Sequence, residues 1–478
     1  MGSSVLRFET KRLLASGAAG ITALLLLGLI AYAGYVGVQH TSEQRGVIET
    51  YAADHAESLD AVRQRVAAAE STAVANGESL DGPVAFGSRH PYVIGSAQGR
   101  VLTLEPAPLA AFAVGQSDLQ PAAVRVTIGG REPMGGAAAL DHPLKLLAGH
   151  VDLAFVFVFF FPLLVLALTF GLTSAERESG LLRMVLSHPI RLTTLAAGKL
   201  TVRAALLFGC AAVGTGAVWL ASGAEGGVGR WALWLLVVVL YGGFWLALAA
   251  FVDSRVRTPV TAGLVLAACW LGLVVVVPAV VNVVATSLYP VPSRMDYVTA
   301  RRTAAGLAER EGAASLARYF NDHPELTTVE EEEADFPMLR VAQDERIAEA
   351  LAPVEARFTE QKAGQQRFVR ALGYLSPAVL AQQAFLDVAG TGHARYAAFD
   401  AQTEAFHEAW VDRFAPAYFE RQPLRLADLD ALPTLDPQIE STADLLSRLA
   451  GPLAALALLA ALLGAAASRG YGRAGSAL

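Results

Sequence analysis

Charge is scarce in this chain. Asp, Glu, Lys and Arg make up 17% of its 478 residues, where an ordinary soluble protein carries about 25%. Cysteine is scarcer. Cys210 and Cys269 both fall inside apolar runs, so no cysteine is left to pair in the polar segments. No basic patch carries interleaved aromatics, which argues against nucleic acid as a partner. The phosphate-cradling string Gly-x-x-x-x-Gly-Lys-Ser/Thr does not occur. The nearest stretch, Ala197-Gly198-Lys199-Leu200-Thr201, lacks the upstream glycine and follows no strand. No His-x-x-x-His pair exists, and His393 and His407 are too far apart in sequence to argue a metal, so none is expected. No Ser-His-Asp or Cys-His set follows from spacing, so no catalytic residue is expected and the chain does not read as an enzyme. Internal repeats are also missing.

Apolar sequence is abundant. Hydrophobic residues reach 54% and collect in runs that approach or exceed the roughly 20 residues needed to cross a bilayer. Six such runs lie near 13–38, 148–172, 202–220, 231–252, 260–284 and 446–467. Each is read as a helix, because backbone groups in hydrocarbon must bond within their own segment. The run interiors are nearly free of ionisable residues, which argues against an ion-coupled carrier. His150 and Asp152 stand at the outer end of the second run. Asn282, close to Pro278, is the deep polar residue of the fifth. Its expected role is a hydrogen bond to a neighbouring helix, and Pro278 is expected to kink its own. Ala31-Tyr32-Ala33 has the look of a signal-peptide cleavage site, but the first run is longer than the about 7–15 apolar residues of a signal core, so it is read as a span.

Basic residues set the orientation. Arg7, Lys11 and Arg12 precede the first run. Arg177, Arg183, Arg191 and Lys199 separate the second and third, Arg255 and Arg257 the fourth and fifth, and Arg469 and Arg473 follow the sixth. With six spans all four groups share one side, which reads as the cytoplasm, with both termini there. Two long segments then lie outside. Residues 39–147 predict a helix over 42–75 and β-like pieces at 100–104 and 123–128. Residues 286–445 are rich in Ala, Glu, Arg and Gln and predict mostly helix. Over 286–444 there are 15 basic and 26 acidic residues, more negative than the whole chain's −7, and the densest acidic part, 330–333, reads as a solvated face. The two segments exceed what connections need.

The expected fold is therefore mainly α, a six-helix polytopic membrane protein with two large extracytoplasmic domains, the first mixed α/β and the second mostly helical. Its parts are 1–38 (cytoplasmic N-terminus and first span), 39–147, 148–285 (spans two to five), 286–445, and 446–478 (last span and cytoplasmic C-terminus).

The connection 173–200 is unusual. Residues 175–187 have the pattern of a helix lying on a membrane surface. Leu181, Leu182, Val185 and Leu186 form an apolar stripe, and Glu176, Arg177, Glu178 and Arg183 stay polar. Gly180 allows a bend or a close approach, and His188-Pro189 ends the helix. Such a helix suits a groove on a partner or a simple interfacial turn, and the residues alone leave both open.

Glu176-Arg177-Glu178-Ser179-Gly180-Leu181-Leu182-Arg183, followed by Leu186-Ser187-His188-Pro189-Ile190 and Gly198-Lys199-Leu200, resembles the cytoplasmic loop of ABC-2 type ABC-transporter permeases. The similarity extends upstream from His142 to Phe155. Downstream, Pro292-Ser293-Arg294-Met295-Asp296, Asp322-His323-Pro324-Glu325-Leu326, Tyr374-Leu375-Ser376-Pro377 and Leu386-Asp387-Val388-Ala389-Gly390-Thr391-Gly392 are similar to members with two large outer insertions and a domain of unknown function, DUF3526. The resemblance implies a permease subunit in a bacterial inner membrane. It would pair with a second permease subunit, identical or related, and dock on a separate ABC ATPase that binds the ATP, so the chain itself needs no cofactor. It implies ATPase coupling by Glu176, Arg177, Glu178, Gly180, Leu182, Arg183, Leu186 and Pro189. It names no substrate, because the first outer segment is larger than in plain ABC-2 exporters. Membrane lipid and a periplasmic protein are the further partners expected. Mechanotransmission to such a protein without transport, and a membrane-anchored sensor, are the rival readings.

Overall fold

The structure, a computed structural model, describes residues 2–15, 17–134, 150–188, 190–324, 335–435, 437 and 440–476. Among them, six helices are long and apolar enough to cross a membrane: Gly17–Ala75, Leu153–Glu178, Leu192–Ala221, Gly227–Asp253, Pro259–Leu288 and Thr442–Gly475. They correspond to the six apolar runs. The acidic run 330–333 and the upstream similarity from His142 to residue 149 lie outside the described residues.

The chain opens with α1 (Gly2–Ala15) and then α2 (Gly17–Ala75), one helix of 59 residues. The first span and the helix expected over 42–75 are therefore continuous. No proline interrupts them, and the Ala, Glu, Arg and Gln of the polar half are strong helix formers. The helix stops at Gly77, whose φ of +73° suits glycine. There Glu78 N donates to Ala73 O (2.9 Å) and Gly77 N to Val74 O (3.1 Å), the bond pair of a Schellman cap.

Strands β1 (Arg100–Thr103), β2 (Ala123–Thr127) and β3 (Gly130–Met134) form an antiparallel sheet in that order. The third had no clear sequence signal: Pro133 breaks its pattern, and among the described residues it pairs with β2 alone.

The second apolar helix is composite. It contains α3 (Leu153–Phe155), a π-helical stretch Val156–Phe160, α4 (Phe161–Thr169) and, after a turn, α5 (Ser174–Glu178). Asp152 caps it, accepting from Phe155 N (2.7 Å), Val114 N (2.9 Å) and Gly115 N (3.3 Å). Pro162 has no N–H to offer the Val158 carbonyl four residues back. Tyr241 Oη donates to that carbonyl instead, at 2.9 Å.

Next come α6 (Leu181–Leu186), α7 (Leu192–Ala221), α8 (Gly227–Asp253), α9 (Pro259–Trp270), a second π-helical stretch Leu271–Val276, and α10 (Val277–Leu288). Pro278, expected to kink its helix, stands in the first turn of α10, directly after this π stretch. Leu273 O, five residues before Pro278, accepts from Ser376 Oγ at 2.6 Å. Asn282 departs from expectation. Its side chain is exposed and makes no hydrogen bond among the described residues, and only its carbonyl is used, by Thr286 Oγ1 (3.0 Å).

The chain then runs through α11 (Arg294–Glu311), α12 (Ala313–Asp322), α13 (Phe336–Gly373), α14 (Pro377–Ala389), α15 (His393–Phe419) and α16 (Leu426–Asp430), and ends in α17 (Thr442–Ser476). Several of the quoted motifs are helix boundaries. Ser293 and Asp296 form a capping box, Ser376 caps α14 with Pro377 in its first turn, and Gly390 takes a φ of +79° at its end.

Three cores organise the molecule. In the lobe, Val62 and Val66 of α2, Val124 and Val126 of β2, and Tyr319, Val341, Trp410 and Tyr418 pack together. Segments 39–134 and 286–445 thus bury one core between them. In the helix bundle, Phe157, Trp234 and Trp245 are joined by Ala381, Phe385 and Val388 of α14. A third core lies at the bundle end away from the lobe, hereafter the distal end, and includes Val5, Leu172, Leu182, Leu192, Leu195 and Tyr471.

Candidate functional site

The distal end gathers α1, α5, α6, the turn after α8 and the last turns of α17. The four basic groups seen in the sequence all fall there. The geometry is built around Asp253, the last residue of α8 and fully buried. Its carboxylate accepts from Thr173 N (3.1 Å), Thr173 Oγ1 (2.5 Å), Ser174 N (3.1 Å) and Tyr471 Oη (2.8 Å). Thr173 and Ser174 begin α5, so the carboxylate meets the free N–H groups at that helix start. One side chain therefore ties α8 to α5 and to α17.

Glu176 is the second junction, 8% exposed. It accepts from Arg12 Nη1 (2.7 Å) and pairs with Lys199 Nζ (2.6 Å), while Lys199 also donates to Leu172 O (2.9 Å). The Glu176 hydrogen bond raises the Arg12 pKa further. Glu9 extends the network toward Arg12 (3.8 Å) and Arg203 (4.0 Å). Arg177 Nη1 donates to Val256 O (2.7 Å). Glu176 and Arg177 are thus turned inward, against α1, α7 and the turn after α8.

The single helix expected over 175–187 is broken. Gly180 sits at φ +77°, a left-handed conformation that costs glycine little, and separates α5 from α6. The expected apolar stripe divides as well. Leu182 is buried at 1%, and Val185 and Leu186 are half-buried against the distal core. Leu181 (53% exposed) and Met184 (70%) face outward, as do Glu178 and Arg183. Of the residues expected to couple, Glu176, Arg177 and Leu182 therefore fasten the elbow. Glu178, Gly180 and Arg183 are on its open side, with Leu186 between. Pro189 lies outside the described residues.

Sequence reasoning missed Asp253, Tyr471 and the packing of α1. The one available signal for Asp253 was a lone acid closing an otherwise uncharged run. His393 and His407 take different partners, Gln366 Nε2 (2.8 Å) and Ile128 O (3.3 Å). No cluster of metal-ligating side chains occurs among the described residues.

A family model described as a domain of unknown function, DUF3526, matches residues 294–438. It takes in α11 to α16, and so contributes both to the lobe core and, through α14, to the bundle core. No curated protein matches the chain.

Proposed function

We propose that the chain is the transmembrane subunit of an ABC-2 type transporter, driven by a separate ATPase that docks at the distal end. The observation that carries the reading is the built elbow. α6 presents Leu181, Arg183 and Met184 outward, while Leu182, Glu176, Arg177 and the Asp253 socket fix it to four other helices. A short element with apolar and cationic side chains on a rigid mount suits a groove on a partner, and it would pass movement of that partner to the bundle. The positive distal end is then the cytoplasmic face of a bacterial inner membrane, with both termini on that side and the lobe outside. ATP is held by the partner. A second copy or a related subunit completes the translocation unit against the largely exposed α9–α10 face.

The test is a gentle-detergent pull-down of the tagged chain with an ATPase assay of the eluate. Recovery of an ATPase, and at least tenfold less of it from Leu181→Ser/Arg183→Glu/Met184→Ser, is expected. An intact chain that brings down no ATPase under several mild conditions would sink the reading.

One observation favours a second reading, in which ATP hydrolysis moves the lobe against an outer partner and nothing crosses. α14 belongs to the same matched segment as the lobe helices, yet it is packed into the bundle core, with Phe385 4.5 Å from Trp234 between ring centroids. Substrate uptake or release by vesicles that contain the assembled pair separates the two.

A further inference from the structure

At the distal end a cavity of about 510 Å³ opens between the turn after α8 and the last turns of α17. It is lined by Ser254, Arg255, Ala466, Arg469, Gly470 and Arg473, with Ala474. Three arginines thus border one space, and no acidic residue is among its described lining residues. The adjacent Asp253 is fully buried and turned to Thr173, Ser174 and Tyr471. Arg255 is held in place by its own neighbours: Nη1 donates to Phe251 O (3.2 Å) and Ser254 Oγ (3.3 Å), and the guanidinium stands 3.7 Å over the Phe251 ring. Arg469 makes no hydrogen bond or ion pair among the described residues and is exposed. Beside the cavity α17 packs closely on the turn after α8, since a Cβ on Gly470 would come within 2.5 Å of Ser254 Oγ.

The surface above explains what such a cavity would hold. Leu458 and Leu462, both 59% exposed, are followed at spacings of four, three and four by Ala466, Arg469 and Arg473. Residues three and four apart share one face of a helix, so an uncovered apolar stripe runs straight down into the arginines. A ligand matching it has an apolar tail along α17 and a phosphate at its foot, where arginine forks bind phosphate oxygens well. We propose that this cavity binds the phosphate headgroup of an anionic phospholipid, its acyl chains lying along Leu458 and Leu462. The site uses the known preference of basic pockets between membrane helices for acidic headgroups. It rests on the membrane reading of the distal end but not on ATPase docking.

The experiment is native mass spectrometry of the purified full chain with equimolar phosphatidylglycerol and phosphatidylcholine of identical acyl chains. No ATPase is present, so failure here leaves the docking result untouched, and the reverse also holds. Retention of phosphatidylglycerol about tenfold above phosphatidylcholine is expected, falling to near equality in Arg469→Gln/Arg473→Gln. Arg469→Lys/Arg473→Lys keeps the charge and should keep most of the preference, which guards against a folding artefact. Equal retention of the two lipids by the unmodified chain overturns the proposal, as does an unchanged preference in the Gln pair. A thermal midpoint raised by millimolar inorganic phosphate, with no preference between the lipids, overturns it in favour of a free anion.

Discussion

Asp253 ties three helices of the distal end together through one buried carboxylate. A buried carboxylate is costly unless every oxygen is bonded, and here Thr173, Ser174 and Tyr471 together supply four donors. Its removal leaves two backbone N–H groups and two hydroxyls short of a partner in a site closed to water. Asp253→Ala is expected to cost about 3 kcal/mol or more, and Asp253→Asn, which keeps one acceptor oxygen, clearly less. Thermal midpoints of the purified variants give the comparison. An Ala variant as stable as the unmodified chain would mean that the carboxylate is not the clasp described. The Tyr241 bond to Val158 O is a smaller case of the same physics, a hydroxyl mending the gap that Pro162 leaves.

Elements differ in how far they could be read in advance. The six apolar helices were legible, because a run of some 20 apolar residues has few other stable settings. Their ends were not. Residues 39–41 hold no proline or glycine to stop a helix, but nothing in them announces that α2 passes from apolar to polar surface without a break. The helix expected over 175–187 divides at Gly180, where a bend or a close approach was expected; amphipathic spacing does not reveal that this glycine has a positive φ. It also assigned Leu181 and Leu182 to one stripe, although adjacent residues on a helix point about 100° apart, and only Leu182 is buried. Asn282 has no side-chain partner among the described residues of this chain, and sequence shows depth along a helix but not which way the side chain faces. Within α2, Gly37 marks a close crossing: a Cβ there would collide with the Ala111 carbonyl, whereas one on Gly28 would meet nothing within 4 Å. Gly37→Val should therefore destabilise the chain by about 1–3 kcal/mol or more through overpacking, and Gly28→Val should not. Equal midpoints for the two variants would count against this crossing.

At the scale of the whole molecule, two segments separated by four apolar helices make one lobe. Trp410 sits at its centre, fully buried, between Phe406 and Phe414, and donates to Gly95 O at 3.1 Å. Trp410→Ala should cost about 3–5 kcal/mol. Hydrogen exchange should then rise together in 100–127 and 336–351, stretches far apart in sequence. A rise confined to the second stretch would mean that the segments fold separately. Sequence showed both segments and their classes of structure. It could not show that they share a core, because apolar residues at strand and helix spacing say that a face is buried and not against what.

The unbroken α2 has a geometric consequence. At 1.5 Å per residue, a helix of 59 residues is about 88 Å long, and the part beyond residue 40 is about 52 Å of it. A tilt of about 5° where the helix leaves the bundle would carry its far tip sideways by about 4–5 Å. Val62 and Val66 are seated in the lobe core, so the lobe would swing with it. A shift too small to notice at the hub becomes, at the rim, a displacement the size of a side chain.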